Sequence, residues 1–124
     1  MATSGNQIRQ SFVAGADLTT KKDTFVILNN VGERAVVTAG AGAKADGVLL
    51  NDPVTGVAAA VAVFGRVKVV AGAAIAAGAE IATDAQGRAI TATSTAIRLG
   101  KTTEAATAAG QLITVDFYTG GNAA

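Results

Sequence analysis

The chain has no cysteine, no histidine and no tryptophan, and only one tyrosine, one proline and four phenylalanines. Without cysteine there is no disulfide framework and no thiolate chemistry, and the redox compartment stays open. Without histidine as well, Ser-His-Asp and Cys-His arrangements are impossible, and zinc sites built on those ligands go with them. Aromatic side chains of the kind that line sugar or acyl pockets are scarce. An excess of one charge is missing too. Ten Lys and Arg stand against nine Asp and Glu, a net +1 scattered along the chain, which is not the footprint of a nucleic-acid binder. Half of the residues are apolar, many of them alanine, but no apolar run approaches the ~20 residues that span a bilayer. The opening MATSGNQIRQSFVAG lacks the apolar core of a secretory signal. Together these absences predict a soluble protein made in a cytoplasm.

What is present is a chain of one domain's length, 124 residues, able to bury roughly two-thirds of its unfolded surface without staples. Charged residues make up 15%, against about 25% in typical domains, so a partner is expected to cover part of the surface. The organising stretch is 46–90, a series of short β-branched runs punctuated by Gly, Pro, Asn and Asp. Val57, Ala59, Val61 and Val63 alternate with Ala58, Ala60, Ala62 and Phe64, which predicts a strand buried on both faces. Gly65 interrupts it, and beyond it Val67 and Val69 alternate with Arg66 and Lys68, as a bulge or bend would arrange.

Pro53 cannot donate to a ladder and biases Asp52 to an extended conformation, so a turn follows the strand at 48–50. The Ala-rich 71–78 is too short to hold a helix by propensity and is read as a tight loop that plugs Ile75 into the core. A hairpin is expected at 80–92 around Asp84-Ala85-Gln86-Gly87. Upstream, 24–28 and 34–38 read as a second hairpin, and AGAGAKA at 39–45 as flexible. Downstream come a strand at 97–100 and a single helical turn at 104–109 capped by Thr103. The last strand is 111–118, with Ile113, Val115 and Phe117 facing in. Two closing devices, AAGAEI at 76–81 and AAGQLI at 108–113, match each other but are too few to make a repeat architecture.

Reactive groupings are weak. The glycines of 40–44 and 72–78 lack the Lys-Ser/Thr ending of a P-loop and read as linker or turn. Asp46 and Asp52 flank one strand and could act as acid and base or hold calcium, but turn termination is the simpler role. Arg66 and Lys68 could form an anion site, a solvated face or a salt bridge to a partner. At the N-terminus, Ile8 and Phe12 stand out among Gln7, Arg9, Gln10 and Ser11. That pattern fits an edge strand of the same domain, or an arm that adds to a neighbouring subunit's sheet.

The order GVLLNDPVTGVAAAVAVFGRVKVVAGAAIAAGAEIATDAQGRAI, followed by TTEAATAAGQLITVDFY, resembles the small capsid cement (decoration) proteins of tailed bacteriophages. The shared features are a Gly-Val-Leu segment with a Pro-containing turn, a Val-rich strand with a Gly kink, an Ala/Gly loop, an Asp-x-x-Gly-Arg hairpin and an Ala-rich turn before the last strand. They cover residues 17–118 and include no reactive motif. The resemblance implies a structural virion protein rather than an enzyme, without cofactor or metal. It implies a homotrimer on the outer surface of an expanded head, clamping major capsid protein subunits, with no nucleic acid or membrane as partner.

The expected fold is all-β: a small β-barrel or β-sandwich, two architectures that share this strand pattern, with one short helical turn near 103–109. Residues 1–14 are read as an extended arm, 15–118 as the β-domain and 119–124 as a flexible tail. Gln7, Ile8, Arg9 and Phe12 are the expected contacts with the capsid or a neighbouring subunit. The reading from a different class is a soluble small-ligand-binding β-barrel; carboxylate-only enzyme chemistry is disfavoured.

Overall fold

A computed structural model describes residues 5–30, 35–42, 44–92 and 99–117. Among these residues nine strands run in chain order: β1 Gly5–Ala14, β2 Phe25–Asn30, β3 Ala35–Thr38, β4 Gly47–Leu49, β5 Ala58–Val70, β6 Glu80–Thr83, β7 Ala89–Thr91, β8 Gly100–Thr102 and β9 Leu112–Phe117. Among the described residues there is no helix. The first five strands close on themselves in the order β1-β3-β2-β4-β5, with β5 returning to β1. They make a barrel. The second sheet continues from β5 as β9-β8-β6-β7, and a parallel bridge between Ala71 and Ala89 brings β7 back to the end of β5.

Strand β5 therefore serves both halves. Its first part pairs with β1, from Val13↔Ala58 to Arg9↔Ala62, and with β4 through Val48↔Ala62 and Leu49↔Val61. From Gly65 onward it pairs with β9, ending at Val70↔Leu112. Gly65 has φ 110°, a conformation that a side chain makes costly, so the strand bends there without ending. The interruption expected at Gly65 is this bend.

Alternation of side chains builds two cores from the same strands. Phe12, Ala14, Leu18, Val26, Val36, Leu49, Ala59 and Val61 fill the barrel, which at five strands is narrow enough for side chains to pack it solid. Phe25, Val48 and Ala62 point the other way and join Val67, Val69, Ile75, Ile81, Leu99, Ile113, Val115 and Phe117 between barrel and second sheet. There Phe25 and Phe117 pack with centroids 5.9 Å apart. Each large apolar side chain buried this way contributes roughly 1.5–3 kcal/mol. Burial on both faces of β5 is confined to its middle. Val57 and Ala58 are exposed and Ala60 is half-buried, since among the described residues no second layer covers the barrel's outer face at that end.

The β6–β7 hairpin forms as its turn residues predict, with Thr83↔Ala89 among its pairs; β2 pairs with β3 as expected, Val26↔Thr38 among the pairs, but Asn29 and Asn30 of the expected turn belong to β2 and residues 31–34 lie outside the described residues. Ile75 is buried, and its backbone bonds reciprocally with Ala106 at 2.9 Å each way. That bridge is why the helical turn expected at 103–109 is absent. The segment runs as bends and a turn, the Thr103 hydroxyl donates to the Thr114 carbonyl at 3.0 Å instead of capping a helix, and Glu104 accepts from the Thr114 N–H at 2.9 Å. The latter bond holds the Glu104 carboxyl below its usual range. A lone helical turn fixes several residues for very few bonds, and pairing across to Ile75 satisfies the backbone better.

The segment 39–45, expected to be flexible, contributes Ala39 and Ala45 to the core with no exposure, and the Gly42 N–H donates to the Thr83 carbonyl at 2.9 Å. Of the strand expected at 97–100, residues 97–98 lie outside the described residues, and β8 begins at Gly100. The tail 119–124 also lies outside them.

Gly100 sits where strands approach most closely, since a Cβ there would collide with the Asp116 carbonyl oxygen, whereas Gly40 has open space around it. Gly100→Ala is expected to destabilise the protein by about 3 kcal/mol and Gly40→Ala to change stability by less than about 1 kcal/mol, both read from urea denaturation midpoints.

Candidate interaction surfaces

The residues that the sequence marks as contacts are carried by β1. The backbone of Gln7, Ile8 and Arg9 lies in that strand, with Ile8 opposite Phe64 and Arg9 opposite Ala62; the side chains of all three lie outside the described residues. Phe12 pairs with Ala59 and is only 6% exposed, inside the barrel core of its own chain. The sequence draws residues 1–14 as an arm. In this chain, β1 is one stave of the barrel.

Beside β1 the structure assembles a surface that the sequence does not single out. Val13, Val54 and Val57 are 38%, 50% and 47% exposed and lie on two segments that adjoin at one end of the barrel. Val13 lies opposite Ala58, the Ala14 N–H donates to the Val57 carbonyl at 2.9 Å, and the Gly56 N–H donates to the Ala14 carbonyl at 2.9 Å. The two segments that meet there, 11–16 and 53–60, contain no charged residue. Depletion of charge is what distinguishes the buried centre of a protein interface from ordinary surface.

The loop that carries Val54 and Val57 is held in place. Asn51 donates from its amide to the Ala58 carbonyl and accepts from the Ala60 N–H, both at 3.1 Å, so its side chain occupies the ladder position beyond the end of β4. The Pro53 carbonyl accepts from the Leu18 N–H at 2.9 Å. A surface fixed before contact loses little entropy on binding.

The candidate reactive residues take other roles. Asp46 accepts from the Leu28 N–H at 2.7 Å and donates its own N–H to Val26 at 2.9 Å, which pins the β2–β4 connection. Asp52 is exposed. Arg66 faces Asp116 directly across β5 and β9 and binds it through Nε at 2.9 Å and Nη2 at 3.4 Å. That hydrogen bond, with the charge of Asp116, raises the Arg66 pKa. Both side chains are about half exposed, where ion pairs add little stability. Arg66 is thereby engaged within the sheet rather than free for an external anion.

A cleft of about 240 Å³ lies at the seam between barrel and second sheet. Thr20, Lys21, Lys22 and Thr24 line it from the barrel side, Gln86 and Arg88 from the β6–β7 turn, and Val70 is its apolar residue. Pockets for small organic ligands are larger, roughly 300–1,000 Å³, and mostly apolar. With the barrel interior packed, the architecture offers the small-ligand reading little support.

Beside the cleft, Asp23 is 8% exposed and has φ 65°, a left-handed conformation that Asp tolerates better than most residues. Its N–H donates to the Leu49 carbonyl and its own carbonyl accepts from the Val70 N–H, both at 2.8 Å, which ties the barrel loop to the shared strand. Burial raises the Asp23 pKa, against the lowering charges of Lys22 and Lys68, with Asp52 adding to the rise. The folded state thus favours the protonated carboxyl. Its contribution to stability is complete below the ordinary value of 3.8 and is lost as pH rises through the raised value. Asp23→Asn, neutral at every pH and tolerant of the same φ, is expected to melt higher than wild type at pH 7 and alongside it at pH 3 in thermal denaturation.

A family model described as phage cement protein matches residues 6–117, nearly the whole span from β1 to β9. Among solved structures the chain is similar to the head fiber gp8.5 N base of bacteriophage phi29, with a TM-score of 0.73 and 21% sequence identity over 90% of this chain and 95% of that one. At that identity the likeness is one of fold. No match is found among curated proteins.

Proposed function

Because the chain belongs to the phage cement protein family and is thus a structural protein of the phage capsid, we propose that it docks as a homotrimer on the outer surface of a tailed-phage head. There it bridges major capsid protein subunits and stabilises the shell. The observation that carries this reading is the charge-free aliphatic end of the barrel, where Val13 of β1 adjoins the fixed loop that carries Val54 and Val57. Three such ends on one trimer multiply a modest contact, because each arm that binds raises the effective concentration of the next. With each docked valine contributing on the order of 1 kcal/mol, multivalency matters more than any single side chain. Synthesis in the host cytoplasm follows from a structural role in the virion.

Gln7, Ile8 and Arg9 are proposed as a second contact, with the capsid or with a neighbouring subunit. Phe12 could join them only if β1 left the barrel, since its ring packs among Leu18, Val26 and Leu49. Deleting residues 1–14 would remove Phe12 and Ala14 from the core, so point substitutions separate contact from folding more cleanly than truncation.

The triple variant Val13→Ser, Val54→Ser, Val57→Ser is expected to fold and to lose at least tenfold in affinity for expanded heads in co-sedimentation; normal decoration by this variant would refute the docking assignment. Light scattering of the isolated protein is expected to give three chain masses, and a monodisperse monomer at high concentration would refute the trimer.

A further inference from the structure

Resting on that reading, we propose that the cleft at the barrel–sheet seam is an anion site that receives a carboxylate side chain of the shell protein. Among the described residues three cations line it, Lys21, Lys22 and Arg88, and no carboxylate does. The two acidic groups nearest in sequence are accounted for. Asp84 accepts from the Gln86 N–H at 2.9 Å, the Arg88 N–H at 2.8 Å and Arg88 Nε at 3.0 Å, so its charge is met by its own turn. Asp23 is buried beside the cleft rather than lining it, and its carboxyl interacts with Lys22 and Lys68, so it offsets part of the charge of Lys22 and none of that of Lys21.

Arg88 is held in place by Asp84 and by a 3.3 Å bond from Nη2 to the Gln86 side-chain oxygen. That bond leaves the Gln86 amide nitrogen as a donor beside the cleft. Lys21 and Lys22 make no ion pair among the described residues. Ammonium groups on flexible stems suit a single carboxylate approached from outside.

Size selects the occupant further. At ~30 Å³ per water, a 240 Å³ cleft has room for one carboxylate-tipped side chain with some of its hydration. A nucleic-acid backbone would need a continuing basic stripe, and the net charge is only +1. The walls are preorganised. Phe25 N–H donates to the Gly87 carbonyl at 2.7 Å, fixing the β6–β7 turn against the barrel, and Val70 N–H binds the Asp23 carbonyl at 2.8 Å. An acidic side chain seated here would grip both halves of the molecule at once.

The test compares two variants with the same change in net charge: Lys21→Ala with Lys22→Ala at the cleft, and Lys101→Glu at the exposed position of β8. Both retain the fold's core, which melting temperature checks. Binding to expanded heads at low salt is expected to fall at least tenfold in the double variant and less than twofold in Lys101→Glu. Glutarate added to the isolated wild-type protein is expected to give saturable NMR shifts at the Lys21, Lys22 and Gln86 amides, absent from the double variant.

Equal effects in the two variants, unchanged head binding by the double variant, or no glutarate response overturns the proposal. So does binding of a labelled DNA duplex that the double variant loses, which would make phosphate the occupant. Wild-type protein that ignores heads but still shows the glutarate shifts would refute the decoration reading, and with it the shell as the source of the carboxylate, while leaving the anion site itself demonstrated.

Discussion

One strand has to satisfy two sheets, and the rest of the molecule is arranged around that demand. The barrel needs the first part of β5 to pair with β1 and β4, and the second sheet needs its continuation to pair with β9. A glycine at the changeover makes both possible, since Gly65 takes φ 110° within an unbroken strand. Because side chains alternate across each strand, the same backbone then feeds two hydrophobic layers. Val61 goes to one and Ala62 to the other, as do Leu49 and Val48, and Val26 and Phe25. Shifting β4 or β2 by one residue would exchange every one of these partners, so the two cores fix each other's register.

Much of this was legible in the residues, and what was not has a common cause. Local signals carried the β6–β7 hairpin through Asp84 and Gly87, the final strand through Ile113, Val115 and Phe117, and the Gly65 bend. They also carried the insertion of Ile75. The helical turn at 103–109 failed because Thr103, Glu104 and Gly110 satisfy the local rule for a helix while Ile75 and Thr114 offer better partners from distant parts of the chain. The low-complexity run 39–45 failed for the same reason, since nothing in AGAGAKA announces that Ala39 and Ala45 lie under β-strands. For the interaction surfaces, the sequence shows that 11–16 and 53–60 each lack charge, but only the pairing of β1 with β5 shows that they adjoin. Lys21 and Lys22 were visible as a polar turn; their placement opposite Arg88 depends on the packing of two sheets.

The surface is divided according to the chemistry of its neighbours. At one end of the barrel the aliphatic residues stand on a loop braced by Asn51, and at the seam the cations stand on a loop braced by Asp23 and the β6–β7 turn. Both loops are tied to strands by main-chain bonds, Gly56 to Ala14 of β1 and Asp23 to Leu49 of β4. A structural protein of a shell gains from such bracing, because contacts made without reordering keep their full strength.

The barrel also has an uneven circumference. Strand β1 meets β5 through seven residue pairs but meets β3 through only two, Val13↔Ala35 and Ala14↔Val36, and these alone run parallel. Parallel pairing is slightly weaker per residue, so of the two joins that flank β1 the one to β3 is the lighter. The strand that carries Gln7, Ile8 and Arg9 is thus anchored chiefly from its β5 side.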